Sequence, residues 1–338
     1  MIWLTWRQFR IQALIGGAVT VVVAAVFLAT RGSLLQVARD MGYQGCTADC
    51  DQLANQFLQR VDGTQYSALQ KYGSILLMVM PALVGLFWGA PLVARELEAG
   101  THRLVWNQTV SRGRWLAVKL GGIGLATVVV AGLLTWAITA WASPIDRAGD
   151  WMSPDTFTVR GVVPIGYAAF AFVAGVTIGM LMRRTVPAMA VTLVVVVGAV
   201  FLSMFVLRPH LVAQTTYQGA LTADRIHGIG LSINDPQRRV RIETQAPVKS
   251  AWVLSNDVVT SSGASWHGPY DPTRCGPGVP GGPEGCEQWI ASQNLQQKVI
   301  YLGPDKFWPL QWRELGAFLV VSALLVAFCF WWIRRRVA

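Results

Sequence analysis

Six stretches of this chain are apolar for long enough to cross about 30 Å of hydrocarbon as helices, and that restricts the possible folds more than any other feature. They cover residues 11–30, 72–93, 116–141, 162–182, 187–207 and 315–333. Inside a bilayer each backbone N–H and C=O needs a partner within its own segment, so the windows read as helices. The balance of the 338-residue chain agrees, with 53% hydrophobic and 14% charged residues, well outside the usual soluble composition. The first window follows Arg7 and Arg10 as a signal peptide would, but it is longer than such a segment and "TRGS" offers no small-x-small cleavage site. It is therefore expected to stay as a span.

An even number of spans puts both termini on one side. Arg7, Arg10, Arg95, Arg103, Arg112, Arg114, Lys119, Arg183, Arg184, Arg334, Arg335 and Arg336 then share a face with only Glu96 and Glu98. The rest of the chain is charge-balanced, so the whole net charge of +10 sits on that face, which the positive-inside rule makes cytoplasmic. The basic residues form no stripe on a soluble domain, which argues against a nucleic-acid partner. Trp3, Trp6, Trp331 and Trp332 are expected at the inner interface and Trp141, Trp308 and Trp312 at the outer one. The expected fold is an all-α membrane protein of six transmembrane helices with cytoplasmic termini, carrying a small strand-containing extracellular domain between helices five and six.

Residues 1–10, "MIWLTWRQFR", place Trp3, Trp6, Arg7 and Arg10 at helical spacing, suiting a segment that lies at the interface before the chain turns into the first of the spans within 11–207. An outside loop is expected over 31–71, with an apolar stripe of Leu53, Phe57, Leu58 and Val61 on a short helix. Only "RRT" separates spans four and five, which predicts a tight hairpin. The extracellular domain is expected over 208–314, with strands in "RRVRIET", "AWVLSNDVV" and "KVIYL" and a Pro/Gly loop in "CGPGVPGGPEGC". Residues 315–338 are the last span and its basic tail. Cys46, Cys50, Cys275 and Cys286 fall on the oxidising side and allow three pairings, of which Cys46–Cys50 with Cys275–Cys286 is the simplest. Neither pair has zinc-ligand spacing, so no metal is expected. Cys329 is alone within a span.

Prolines interrupt several spans. Pro164 and Pro187 lie near helix starts, where proline is comfortable, whereas Pro81 and Pro91 mark a candidate hinge. No span carries an ionisable residue near its centre, which argues against a self-powered ion-coupled carrier and against ionic cargo. No phosphate-cradling G-x-x-x-x-G-K-[ST] is present, and none of His102, His210, His227 and His267 has a metal-spaced neighbour. The chain is expected to be neither an ATPase nor any other enzyme.

The polar stretch "ARELEAGTHRLVWNQTVSRGRWLAVKL", residues 94–120, interrupts two greasy runs. Gly100 suits the positive φ that ends a helix, Thr101 suits a cap on the next, and Ser111 suits a cap on the third span. Leu104, Val105 and Gln108 share one face of a short helix that suits a partner's groove. Arg95, Glu96, Glu98, Gly100, Thr101, Arg103, Val110, Ser111, Arg112 and Lys119 match the cytoplasmic connection of ABC-2 type permeases, the membrane subunits of ATP-binding-cassette exporters. The stretch resembles that family, with Thr109 where the family often has proline. "YLGPDKFWPLQWRELGAFLVVSALLVAFCFWWIRRR" and the N-terminal "MIWLTWRQFR" are similar to a group of actinobacterial ABC permeases.

The resemblance implies a permease subunit of the cell membrane working as an exporter. Cytoplasmic ABC ATPase subunits would dock on the segment 95–115, through Glu96, Glu98, Gly100, Thr101, His102, Arg103, Leu104, Val105, Gln108, Ser111 and Arg112. ATP and Mg would belong to the ATPase and none to this chain, and a second permease copy or a homologue would complete a dimer in the lipid bilayer. The cargo would be an amphipathic or hydrophobic drug, lipid or peptide. The alternatives are a membrane sensor or accessory protein whose ligand site is the 208–314 domain, and an external membrane-bound enzyme.

Overall fold

The computed structural model describes residues 2–47, 50–101, 111–231, 240–266, 268, 271–275 and 282–335. Among these residues six helices are long and apolar enough to cross a membrane, Phe9–Asp40, Gln65–Glu98, Arg112–Ala148, Val163–Met182, Thr185–Leu211 and Pro304–Arg335. The chain divides into two compact units. One is Met1–Leu211 with Phe307–Ala338 and holds the helices; the other is Val212–Lys306.

Five of the six helices are longer than their apolar windows, and the fourth matches its own. The first runs unbroken over Ile2–Asp40, about 58 Å at 1.5 Å per residue. This corrects two expectations. Residues up to 10 continue the first helix instead of turning into it, and the loop expected from residue 31 begins as helix through Asp40. Nothing in "MIWLTWRQFR" breaks a helix, so propagation along an existing helix wins over a bend. Helix Asp51–Val61 buries Ala54, Phe57 and Val61 in the same core as Leu34, Trp141 and Ile145. Trp141 is fully buried, donates to Thr30 Oγ1 at 3.0 Å and meets Phe27 edge-on. It is a core residue and not the headgroup anchor expected, whereas Trp308 and Trp312 are exposed.

The fourth span is the hub: 72% of its apolar window is buried, against 11% for the first span and 17% for the fifth. Its face toward the second span is made of glycine. Gly85 and Gly89 oppose Gly175 and Gly179, each pair four residues apart and so on one helix face. A Cβ on Gly175 would lie 2.5 Å from the Gly85 carbonyl oxygen, and one on Gly89 would lie 2.5 Å from that of Phe172. Small residues let membrane helices approach backbone to backbone, where dispersion contacts replace the missing hydrophobic force.

The second span changes pitch at this contact. A π-helical turn, Gly85–Gly89, separates helix Gln65–Val84 from helix Ala90–Glu98. Pro91 follows it and cannot donate to the carbonyl four residues back; that carbonyl, on Phe87, accepts Gln12 Nε2 at 3.4 Å. The fifth span repeats the device, with a π turn at Ser203–Leu207 and then Arg208 and Pro209. Pro81, by contrast, is buried in an uninterrupted α-helix, so of the two hinge candidates only Pro91 accompanies a change of pitch. Arg183 at φ 54° and Arg184 make the tight connection between spans four and five.

The second unit pairs β1 (Thr215–Ala220), β5 (Gln296–Leu302) and β4 (Trp252–Val259) antiparallel, and β2 (Ile226–Leu231) with β3 (Val240–Thr244). Gln297 joins the sheets by donating to Thr244 Oγ1 at 2.6 Å and to Gln245 O at 2.7 Å. The three expected strands are β3, β4 and β5. The end of the expected Pro/Gly loop is instead helical, Gly282–Ala291. Its Cys286 bonds Cys275 and is buried beside Leu221, Ile242 and Ile290. Cys46 and Cys50 form the other pair.

Replacing Gly175 by leucine is expected to lower the melting temperature of the detergent-purified protein sharply, since overpacking costs about 1–3 kcal/mol or more. Gly198→Leu, where a Cβ meets nothing within 4 Å, serves as the control and is expected to melt like the parent by intrinsic fluorescence.

Candidate coupling interface and its buried supports

Gly100 adopts φ 68°, and its N–H donates to Leu97 O at 3.3 Å, so it ends the second span as its lack of a Cβ allows. The Thr101 hydroxyl turns back to Glu96 O at 3.5 Å. On the far side of the connection, Ser111 Oγ accepts the Arg114 N–H at 3.3 Å and caps the third span as expected, with Arg112 half-buried beside it. His102, Arg103, Leu104, Val105, Gln108 and Val110 lie outside the described residues.

The two carboxylates of this segment are engaged by neighbouring spans. Lys119 Nζ of the third span reaches Glu96 Oε1 at 2.5 Å and Leu92 O at 3.3 Å, and it lies over the Trp115 ring. Lys119 is only 3% exposed, and the pairing is what allows a charge to sit there. Glu98 Oε2 accepts the Thr185 N–H at 2.9 Å and the Thr185 hydroxyl at 2.7 Å. It thus caps the fifth span from another helix, a position where a carboxylate is favoured by the helix dipole. The end of the second span is pinned to the third by Glu96 and to the fifth by Glu98. Arg334 approaches Gly113 at this end, so the expected basic residues of several connections gather here.

The opposite end of the helices holds a buried network that was not expected. Arg208 and Glu314 are both 0% exposed and pair at 2.9 Å. Glu314 also accepts Ser203 Oγ at 2.6 Å and the Tyr167 hydroxyl. The guanidinium donates to Thr158 Oγ1 at 2.8 Å, Tyr167 Oη at 2.7 Å and Pro154 O at 3.0 Å, and stacks on Phe157. Gln311, one turn earlier, accepts the Val162 and Val163 N–H groups at 2.9 and 3.0 Å and so caps the fourth span. A second pair, Arg160 Nε to Asp146 Oδ2 at 2.6 Å, is joined by Gln70 at 3.3 Å.

These pairs correct the expectation that no span offers a buried charge. The centres of the windows are free of charge, as read, but Lys119, Arg208 and Glu314 lie near helix ends and are buried because each finds its partner on another helix. Their signal in the sequence was the placement of Arg208 and Glu314 just beyond the apolar windows, where a surface position is the ordinary outcome. No group of three or more metal-ligating side chains occurs among the described residues.

Removing one member of a buried pair leaves the other uncompensated, which costs roughly 3–5 kcal/mol, whereas replacing both is often neutral. Glu314→Ala is therefore expected to lower the melting temperature strongly and Arg208→Met with Glu314→Leu to recover most of it. Equal losses in single and double variants would show that the pair is not coupled.

No curated protein and no solved structure matches this chain. Residues 17–208, more than half of it, match the family model described as ABC-2 membrane transporter related. That span takes in the glycine contact, the connection between spans two and three, and Arg208. The chain belongs to the ABC-2 membrane transporter related family.

Proposed function

We propose that this chain is the membrane-spanning permease subunit of an ATP-binding-cassette exporter, driven by ATP that a separate cytoplasmic ABC ATPase hydrolyses. The observation that carries the proposal is the connection between spans two and three. It leaves the second span at Gly100 and is tied through Glu96 and Glu98 to spans three and five. A push on residues 102–110 would reach three helices at once. The second span would pass it to the glycine contact with the fourth, where the π turn at Gly85–Gly89 lets the helix change pitch. Glu96 and Glu98 hold the segment in place, and the direct contact with the ATPase falls to Arg103, Leu104, Val105 and Gln108.

The basic end of the helices faces the cytoplasm by the positive-inside rule, which puts the disulfide-bonded unit Val212–Lys306 outside. Six helices are half of a transporter pathway in this family, so a second permease copy or a homologue completes it. The cargo is amphipathic or hydrophobic, because the buried charges found are neutralised by one another.

The ATPase is expected to co-purify with the wild-type chain from native membranes. Leu104→Arg and Val105→Arg are expected to lose it with the yield and melting temperature of the chain unchanged. Undiminished recovery with both variants would overturn this docking site.

A further inference from the structure

At the basic end, a cavity of about 500 Å³ opens between the first three spans. Its polar wall is Gln12, Arg95, Glu96, Thr101 and Lys119, and its apolar wall includes Phe9, Phe87 and Trp88. A second, almost wholly apolar groove of about 370 Å³ runs along the first and third spans, past Trp6, Ala13, Ala117, Gly122 and Ala126. Phe9 and Ile123 line both, so the two cavities adjoin. Phe9 is held there edge-on to Trp88 at 5.1 Å. Among its described lining residues are two cations, Arg95 and Lys119, and one carboxylate, Glu96, which already pairs with Lys119. Arg95 is exposed and its charge is the excess.

We propose that these adjoining cavities form one site for an anionic phospholipid from the leaflet at the basic end, its phosphate head beside Arg95 and an acyl chain in the groove past Gly122. The chemistry follows from shape and charge together. A head cavity of net positive charge at the basic end of the helices suits a phosphate, and a groove lined by Ala13, Ala117, Gly122 and Ala126 suits an unbranched chain. The site deepens the permease function, on which its meaning for cargo rests, by narrowing the amphipathic substrate to one with an anionic head.

The test uses the full-length chain without any ATPase, exchanged into nanodiscs of mixed phosphatidylglycerol and phosphatidylcholine and read by native mass spectrometry after release. The wild type is expected to keep phosphatidylglycerol in preference to phosphatidylcholine. Arg95→Gln is expected to reduce that preference roughly five-fold, the contribution of one basic residue near an anionic lipid surface. Gly122→Leu fills the groove and is expected to lose the lipid. Gly121→Leu, at the next position and equally without a neighbour for its Cβ, is expected to keep it. A wild type that keeps neither lipid, or keeps both equally, would overturn the proposal, as would equal effects of leucine at 121 and 122. Because no ATPase is present, either failure leaves the ATPase docking site untouched.

Discussion

Where a Cβ on Gly175 would strike the Gly85 carbonyl and one on Gly89 that of Phe172, the second and fourth spans touch backbone to backbone. The third, fifth and sixth spans also pack on the fourth, and the first leans on the third. In a membrane, lipid tails solvate leucine as well as another helix does, so close approach and polar ties must supply what the hydrophobic effect supplies in water. The glycine contact provides the approach. The ion pairs Glu96–Lys119 and Glu314–Arg208 tie different spans together, and Asp146–Arg160 ties the end of the third span to the connection that leads into the fourth.

The same contact is where the helix is least uniform. Both π turns precede a proline by one intervening residue, Ala90 before Pro91 and Arg208 before Pro209. A proline lacks the N–H for the bond four residues back and crowds that carbonyl, and a wider turn relieves the crowding. In the second span the freed carbonyl of Phe87 takes Gln12, and in the fifth the π turn opens with Ser203, whose hydroxyl reaches Glu314. In the second span, irregular backbone is thus satisfied by a side chain from another helix, as the absence of water requires.

The six spans, the tight turn at Arg183 and Arg184, the caps at Gly100 and Ser111, both cysteine pairs and three of the strands were legible in the sequence, because each rests on local pattern: apolar length, turn chemistry, spacing or alternation. The extent of the first helix was not, because apolar windows mark the hydrocarbon and say nothing of how far a helix continues beyond it. Trp141 was misjudged, and Arg208 and Glu314 passed unremarked as the margins of the 208–314 domain, for a related reason. Residues at the margins of apolar windows are assigned to the interface by default, and only tertiary contacts decide that these face inward. Glu96 and Glu98 stood out as carboxylates in a basic segment, while their partners, Lys119 and Thr185, lie 23 and 87 residues away.

In the proposed function, an ATP-driven partner acts on the connection between spans two and three. A photoreactive amino acid placed at Val105 of the full chain in its native membrane tests it most directly. Irradiation is predicted to yield an adduct whose partner peptide carries the phosphate-cradling G-x-x-x-x-G-K-[ST] motif. Adducts with lipid alone, at full expression of the chain, would contradict it.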